Sequence, residues 1–158
     1  MAQARADEAA RPARRQTRGG RLTLDHFQGW TAPVSLAALR HARGGPIPAA
    51  LRPFFATGRP NLYRLTRAGI DRARPLTIGM TRTQKPIFQR IHEHKYTAQG
   101  DPRVQAALAR IPEGAILVQA GILRGPDLSV SLAHVYEGLL QARERPQLKD
   151  PSTTTFED

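Results

Sequence analysis

Residues 61–94, NLYRLTRAGIDRARPLTIGMTRTQKPIFQRIHEH, decide the fold of this chain. Within them, residues 76–81 alternate between apolar and small or polar side chains, which is the period of two expected of a β-strand. A second β-prone run covers residues 62–66. The link between the two runs, residues 67–74, contains a glycine and an aspartate, which suit a hairpin loop. The sequence therefore predicts two antiparallel strands that are neighbours in a sheet.

A helix is predicted directly after the second strand. Residues 83–86 open it, since a proline at an early helical position gives up only an amide hydrogen that has no helical partner there. Apolar residues between 87 and 91 supply its buried side. Arg90 and His94 are four residues apart, so they lie on one helical face, about 40° apart, and can contact the same anion. On residue types alone, a solvated helix face is the simpler interpretation of this pair.

Three further elements are predicted in the second half of the chain. Residues 103–110 indicate a short helix. Residues 115–123, AILVQAGIL, form an apolar run that is typical of a strand covered on both faces, and we expect this strand to be central. Residues 129–145 carry apolar side chains at helical spacing, which predicts a final helix. Glu137 lies at the flank of its apolar stripe, about 130° from the centre of the stripe.

The N-terminal third of the chain is predicted to be accessory. Residues 1–24 contain six arginines and few apolar side chains, so we expect a disordered basic arm that either follows a nucleic-acid backbone or is inert. Residues 25–60 predict a short accessory helical region. One helix begins after Ser35 as its N-cap, and another lies around residues 48–56. The aromatic side chains of this region either stack on bases or, more simply, dock it on the sheet.

Basic residues are concentrated around the predicted strand–strand–helix unit. The chain carries 24 basic and 13 acidic residues, a formal net charge of +11 at pH 7. Residues 51–95 hold ten basic and two acidic side chains, as expected of a protein that attracts a polyanion such as DNA. Because 21 of the 24 basic residues are arginine, biased composition is the alternative explanation. We expect DNA-phosphate contacts from Arg64, Arg74, Arg82, Lys85 and Lys95.

Composition also excludes several classes of protein. The absence of cysteine excludes a disulfide framework and a thiolate zinc site. No run approaches the ~18 apolar residues of a membrane span, and the N-terminus has no apolar signal segment. We therefore expect a soluble, cytoplasmic protein with no membrane partner. An arginine-rich start is also typical of organelle transit peptides, but Asp7 and Glu8 argue against one.

Four short motifs, in order, resemble the GIY-YIG nuclease family. They are Leu62-Tyr63, Thr77-Ile78-Gly79, Arg90-x-x-x-His94 and a glutamate in a later helix, Glu137. The resemblance covers residues 61–150. It implies an α/β fold in which a small three-stranded antiparallel sheet is flanked by helices. It also implies hydrolysis of phosphodiester bonds with one divalent metal ion.

The resemblance assigns a role to each matching residue. Tyr63 would help to activate the attacking water. Arg90 would hold the phosphate with its planar fork of donors, a geometry that lysine cannot copy. His94 would assist proton transfer or phosphate binding. Glu137 would hold the metal, and its carboxylate is a suitable hard-oxygen ligand for Mg²⁺ or Mn²⁺.

Two positions depart from the family pattern. Thr77 stands where the family has its second tyrosine, and its hydroxyl cannot perform the proton chemistry of a phenol. Lys149 and Asp150 stand near the place where family members have an asparagine. Tyr96 and Tyr136 are candidates to compensate for the lost phenol.

These observations define a predicted organisation and three hypotheses. Residues 61–150 are the predicted domain, the chain is expected to fray from Pro146, and residues 151–158 form a disordered tail. The first hypothesis is a metal-dependent endonuclease acting on DNA, with altered or weak activity because of Thr77. The second is a non-catalytic nucleic-acid-binding or interaction module on the same fold. The third is an unrelated small α/β protein whose charge is compositional.

Overall fold

The structure of the protein is a computed structural model. It describes residues 24–69, 74–97, 99, 101–125 and 128–148. The predicted basic arm up to residue 23, residues 70–73 of the hairpin link, the Lys149-Asp150 position and the predicted C-terminal tail lie outside the described residues. No helix in the described ranges is long and apolar enough to cross a membrane.

The described chain forms a five-stranded antiparallel sheet in which β3 lies between β4 and β5. The predicted hairpin is β3 paired with β4, and the predicted central strand is β5. Two short strands, β1 and β2, pair with the other edge of β5. The strands are β1 (Phe27–Trp30), β2 (Val34–Ser35), β3 (Asn61–Arg67), β4 (Thr77–Thr81) and β5 (Ile116–Leu123).

The α/β class is confirmed, but the expected three-stranded sheet is wrong in strand number. The region predicted to be an accessory of helices alone contributes β1 and β2 to the sheet. These strands are four and two residues long, too short to show an alternating pattern. They are strands because β5 offers them an unpaired edge. The backbone between them is also held, since Thr31 donates its N–H to the carbonyl of Ala120 at 2.9 Å.

Five helices flank the sheet in the described part of the chain. Ser35 caps the first of them, as predicted, because its Oγ accepts a hydrogen bond from the amide of Ala38 at 3.1 Å. Ser129 caps the last helix in the same way. The helices are α1 (Leu36–Ala42), α2 (Arg52–Phe55), α3 (Ile87–Tyr96), α4 (Pro102–Ala109) and α5 (Val130–Glu144).

The helices cover opposite faces of the sheet. The side chains of β3 alternate, so that Tyr63 and Leu65 pack into the core beneath α1 to α4, whereas Leu62 packs with Tyr136 and Leu140 of α5. On β5, Ile116, Val118 and Ala120 are buried and the intervening residues are only partly covered, so this strand is less enclosed than its apolar run predicts. Helices α3 and α5 therefore approach each other only around the edge strand, β4.

The chain beyond α5 is ordered further than expected. Arg145 adopts a left-handed conformation with φ of 50°, which ends the helix and turns the chain back. The amides of Gln147 and Leu148 then donate to the carbonyls of Pro75 and Leu76 at 2.8 Å and 2.7 Å. Leu148 packs against the core. The expected fraying from Pro146 is therefore wrong for residues 146–148.

Candidate active site

The five residues predicted to be catalytic line a single cavity of about 400 Å³ beside β4. Each comes from an element whose local pattern was visible in the sequence, but the elements lie on both faces of the sheet. The cavity receives Tyr63 from β3, Thr77 from β4, Arg90 and His94 from α3, and Glu137 from α5.

The position of β4 at the sheet edge explains how helices on opposite faces reach one cavity. No strand lies outside β4 among the described residues, so both α3 and α5 overhang it. The side-chain amide of Gln141 on α5 donates to the carbonyl of Ile78 on β4 at 2.9 Å, which fixes the helix against this edge. Glu137, one turn earlier on α5, is thereby held on the same side as Arg90.

Tyr63 and His94 form a buried pair at the inner wall of the cavity. The hydroxyl of Tyr63 lies 3.3 Å from Nε2 of His94, and the two residues are 3% and 4% exposed. Burial raises the pKa of Tyr63 to about 12, helped by the negative charge of Glu137 and opposed by the cation of Arg90. The phenol is therefore protonated at neutral pH.

His94 is neutral at neutral pH. Burial, with a smaller contribution from the positive charge of Arg90, lowers its pKa to about 4. The buried Nδ1 atom has no hydrogen-bond partner among the described residues. A neutral imidazole carries one donor and one acceptor nitrogen, so His94 can take a proton from its neighbour. It does not add a permanent positive charge for a phosphate.

Gly79 makes room for the ring of Tyr63. The two residues face each other on neighbouring strands. A Cβ atom added at Gly79 would lie only 2.6 Å from Cζ of Tyr63, too close for any real contact. The small residue of the Thr77-Ile78-Gly79 motif is therefore required by packing, whatever the chemistry of the site.

Gly79→Ala is expected to lower the free energy of unfolding by about 1–3 kcal/mol, because the buried phenol must shift to admit the methyl group. Urea unfolding monitored by circular dichroism measures this change. Gly138→Ala on α5 is the matched control, since nothing lies within 4 Å of its added Cβ. That control is expected to stabilise the protein by up to about 1 kcal/mol. Equal stability of Gly79→Ala and the wild type would contradict the packing argument.

Glu137 presents a partly buried carboxylate to the cavity. Its side chain is 19% exposed, its Oε2 atom lies 3.5 Å from Nδ1 of His134, and its Oε1 atom accepts a hydrogen bond from Gln141 at 3.2 Å. His134 and Gln141 line the cavity but were not predicted. Their spacing from Glu137, three residues before and four after, places them on its helical face and could have identified them.

The donor set around Glu137 fits only one kind of metal site. No group of three or more histidine, aspartate or glutamate side chains able to hold a metal occurs in the described ranges. Mg²⁺ keeps several waters and is often held by one or two carboxylates together with substrate phosphates. The residues therefore fit an ion held by Glu137 and completed by water and phosphate oxygens, and they do not fit an all-protein cage.

Glu93 holds two cations side by side at the mouth of the site. Its Oε2 atom lies 2.7 Å from Nζ of Lys85 and 3.7 Å from Nη1 of Arg90. Partial burial is the largest single influence on the pKa of Glu93 and acts to raise it, but the hydrogen bond and charge of Lys85, with smaller contributions from Gln89 and Arg90, together outweigh burial and the net pKa is lowered. An ionised Glu93 therefore offsets the repulsion between the two cations.

A second cavity, of about 650 Å³, adjoins the first. The two share four lining residues, among them Arg90 and Glu137. Arg82 and Lys85, predicted to contact nucleic acid, line this larger cavity. The two cavities together form a continuous groove along the β4 edge.

Three of the predicted phosphate-binding residues lie elsewhere and have structural contacts. Arg64 forms an ion pair with Glu144, hydrogen bonds to Gln119 and stacks over the ring of Trp30. Arg74 donates to the backbone carbonyl of Arg145 at 3.0 Å. Both guanidinium groups therefore lie outside the groove and make contacts within the fold, and their contact with nucleic acid stays a prediction.

Lys95 is the third of these residues that lies outside the groove, and its contact with nucleic acid stays a prediction. Its ammonium group donates to the carbonyls of Leu108 and Ile111, both at 2.6 Å. These acceptors lie at and just beyond the C-terminal end of α4, where a cation also interacts favourably with the helix dipole. Lys95 therefore joins α4 to α3.

Lys95→Met is expected to lower the free energy of unfolding by about 1–3 kcal/mol, because it leaves two carbonyls without a charged donor. Retention on a DNA column at low salt should change little, since Lys95 lies away from the groove. Arg82→Met is the matched control, because it removes an exposed cation that lines the groove. A strong loss of DNA retention with Lys95→Met, and unchanged stability, would contradict the structural role and confirm the prediction from sequence.

The two tyrosines considered as substitutes for the missing phenol are engaged elsewhere. The hydroxyl of Tyr96 donates to Glu113 on the protein surface. The hydroxyl of Tyr136 accepts from the backbone amide of His26 at 3.3 Å. Neither residue lines the groove, so Tyr63 is the phenol of this site.

Comparisons of the chain with protein-family models, with curated proteins and with solved structures find no match. The chemistry of the groove is therefore the basis for inferring the function of this protein.

Proposed function

We propose that this protein is a metal-dependent endonuclease that hydrolyses phosphodiester bonds of DNA. One observation carries the proposal: a guanidinium, a carboxylate and a buried phenol–imidazole pair line one cavity at a sheet edge. Phosphodiester hydrolysis requires an activated water, stabilisation of charge on the phosphoryl oxygens and help for the leaving oxygen. The cavity contains a residue suited to each requirement.

Arg90 and Glu137 are suited to stabilising the negative charge of the phosphate, one directly and the other through a metal ion. The guanidinium of Arg90 binds two phosphoryl oxygens at once and stabilises the negative charge that develops on them. Glu137 would hold Mg²⁺ or Mn²⁺, and the ion, when bound, would supply polarisation of a phosphoryl oxygen and stabilisation of the leaving group. Because the two residues line the same cavity, one phosphate can meet both.

Tyr63 and His94 accept the proton of the attacking water. The phenol retains its proton in the resting protein, since its pKa is about 12. As water attacks, the oxygen of Tyr63 receives a proton from the water while its own proton passes to Nε2 of His94, 3.3 Å away. The neutral state of His94 is what permits this transfer. His94 thus acts in proton transfer rather than in binding phosphate.

Thr77 supports the alternative function, a non-catalytic nucleic-acid-binding module. It lines the cavity at the place where the resemblance expects a phenol, and it is buried. A threonine hydroxyl can hydrogen-bond a water or a phosphate, but it cannot exchange protons as a phenol does. The basic side chains of the groove are sufficient for binding DNA without cleaving it.

Nicking of supercoiled plasmid separates the two functions. The wild-type protein is expected to nick the plasmid with Mg²⁺ or Mn²⁺ and to stop when EDTA is added, and Arg90→Ala and Glu137→Gln are expected to lose the activity. Full nicking by both variants would indicate a contaminating nuclease. If none of the three proteins nicks but all are retained on DNA in a salt-sensitive manner, the binding module is the correct function. If none binds DNA, both functions are wrong.

A further inference from the structure

The larger cavity contains a set of donors that the hydrolytic residues do not use. Arg82 is exposed on its wall, and Lys85 lies beside it. Val130 and Ser131, the first two residues of α5, also line this cavity. The first amides of a helix have no acceptor within the helix, and the helix dipole places partial positive charge there. The first turn of α5 contains no acidic side chain to occupy that position.

A buried hydroxyl independently points to a ligand in this cavity. Thr81, at the end of β4, is 2% exposed and lines the cavity. Its Oγ1 atom has no hydrogen-bond partner within the described ranges. A buried hydroxyl without a partner is costly, so an oxygen-rich ligand that offers an acceptor would be favoured there.

We propose that the larger cavity binds a second phosphate of the nucleic-acid strand, adjacent to the phosphate held by Arg90 and Glu137. The proposal deepens the proposed function and rests on it for the position of the first phosphate. Arg82 supplies an exposed cation, the amides of Val130 and Ser131 supply backbone donors, and Thr81 supplies a hydroxyl. This arrangement is suited to the tetrahedral oxygens of phosphate.

The residues that line both cavities make the two phosphate sites neighbours, so that consecutive phosphates of one strand can occupy them. Arg90 and Glu137 line both cavities, so a strand with one phosphate between them continues directly into the larger cavity. The preferred substrate is therefore a polynucleotide with at least two neighbouring phosphates. An isolated phosphodiester would occupy only one of the two cavities.

Dithymidine compounds with one and two phosphates test this inference without requiring turnover. Binding is measured in EDTA by competition with a labelled oligonucleotide, using TpT and the same dinucleotide with an additional 5′ or 3′ terminal phosphate. At least one of the two longer compounds is expected to bind about tenfold more tightly than TpT. That advantage is expected to fall to about twofold in Arg82→Gln and in Val130→Pro.

The two variants remove different donors at little cost to the fold. Arg82 is exposed. Proline is tolerated at the first helical position, and Ser129 before it is already extended with ψ of 163°, as a residue before proline must be. Circular dichroism checks that both variants are folded. Arg110→Gln, an exposed arginine that lines neither cavity, is expected to keep the tenfold advantage.

Equal binding of all three compounds to the wild type would show that the second phosphate site is wrong. The same conclusion would follow if the tighter binding of the longer compounds persisted in both Arg82→Gln and Val130→Pro. If plasmid nicking is present but the advantage is absent, only this inference fails. If the advantage is present and variant-sensitive but nicking is absent, the second phosphate site is upheld and the hydrolytic function fails.

Discussion

Glu137→Gln is expected to slow plasmid nicking by at least about a thousandfold. The substitution keeps the shape of the side chain and its contact with Gln141 but removes the charge that would hold the metal ion. Loss of a divalent ion removes several kcal/mol of transition-state stabilisation, and each 1.36 kcal/mol corresponds to a factor of ten in rate. The measurement is the initial rate of conversion of supercoiled to nicked plasmid at saturating Mg²⁺.

DNA binding by Glu137→Gln distinguishes a lost metal ligand from a lost fold. In EDTA the variant should bind DNA at least as tightly as the wild type, because a negative charge has been removed from the groove. Glu113→Gln is the matched control, since Glu113 pairs with Arg40 on the surface and lines neither cavity. A Glu137→Gln protein that nicks at the wild-type rate would remove Glu137 from the mechanism.

Arg90→Lys is expected to slow nicking by about a hundredfold while leaving DNA affinity within about threefold of the wild type. Lysine keeps the positive charge, so attraction of the polyanion persists. It loses the planar fork that contacts two phosphoryl oxygens at once, and removal of one such preorganised donor typically costs about a hundredfold or more in rate. Rates at several DNA concentrations separate the effect on turnover from the effect on binding.

Arg82→Lys is the matched control for the effect of Arg90→Lys on the nicking rate. Arg82 is exposed and lines only the larger cavity, where a point charge serves nearly as well as a fork. We expect its nicking rate to stay within about threefold of the wild type. Equal effects of the two substitutions would mean that Arg90 acts through charge alone.

The residues of the site were more predictable than its supporting contacts. Tyr63 and Arg90 were identified by short motifs of the family resemblance and Glu137 by its place in the last helix, and the structure brings all three to one cavity. Glu93 was not identified, because its role depends on the positions of Lys85 and Arg90 in space. The contacts of Lys95 were not foreseen for the same reason: basic composition does not reveal that a cation caps a neighbouring helix.

The strands also differed in how well the sequence predicted them. The alternation of residues 76–81 and the apolar run of residues 115–123 specified β4 and β5, because a pleated strand presents its side chains with a period of two. The pairing of β1 and β2 with β5 has no comparable local signal. Likewise, residues 146–148 look like a polar tail, but the backbone of Pro75 and Leu76 pairs with them.

By itself, the amino-acid sequence determined β3 to β5, the helices and their order, because helical and strand periodicity, helix caps and turn residues act over a few residues; it did not determine β1 and β2. Only the tertiary structure decided that β4 is the edge strand. At that edge, helices from opposite faces of the sheet bring Arg90 and Glu137 into one groove. The physical reason is that an edge is a property of the complete sheet: it depends on which strands pair elsewhere, and no local pattern in β4 records it.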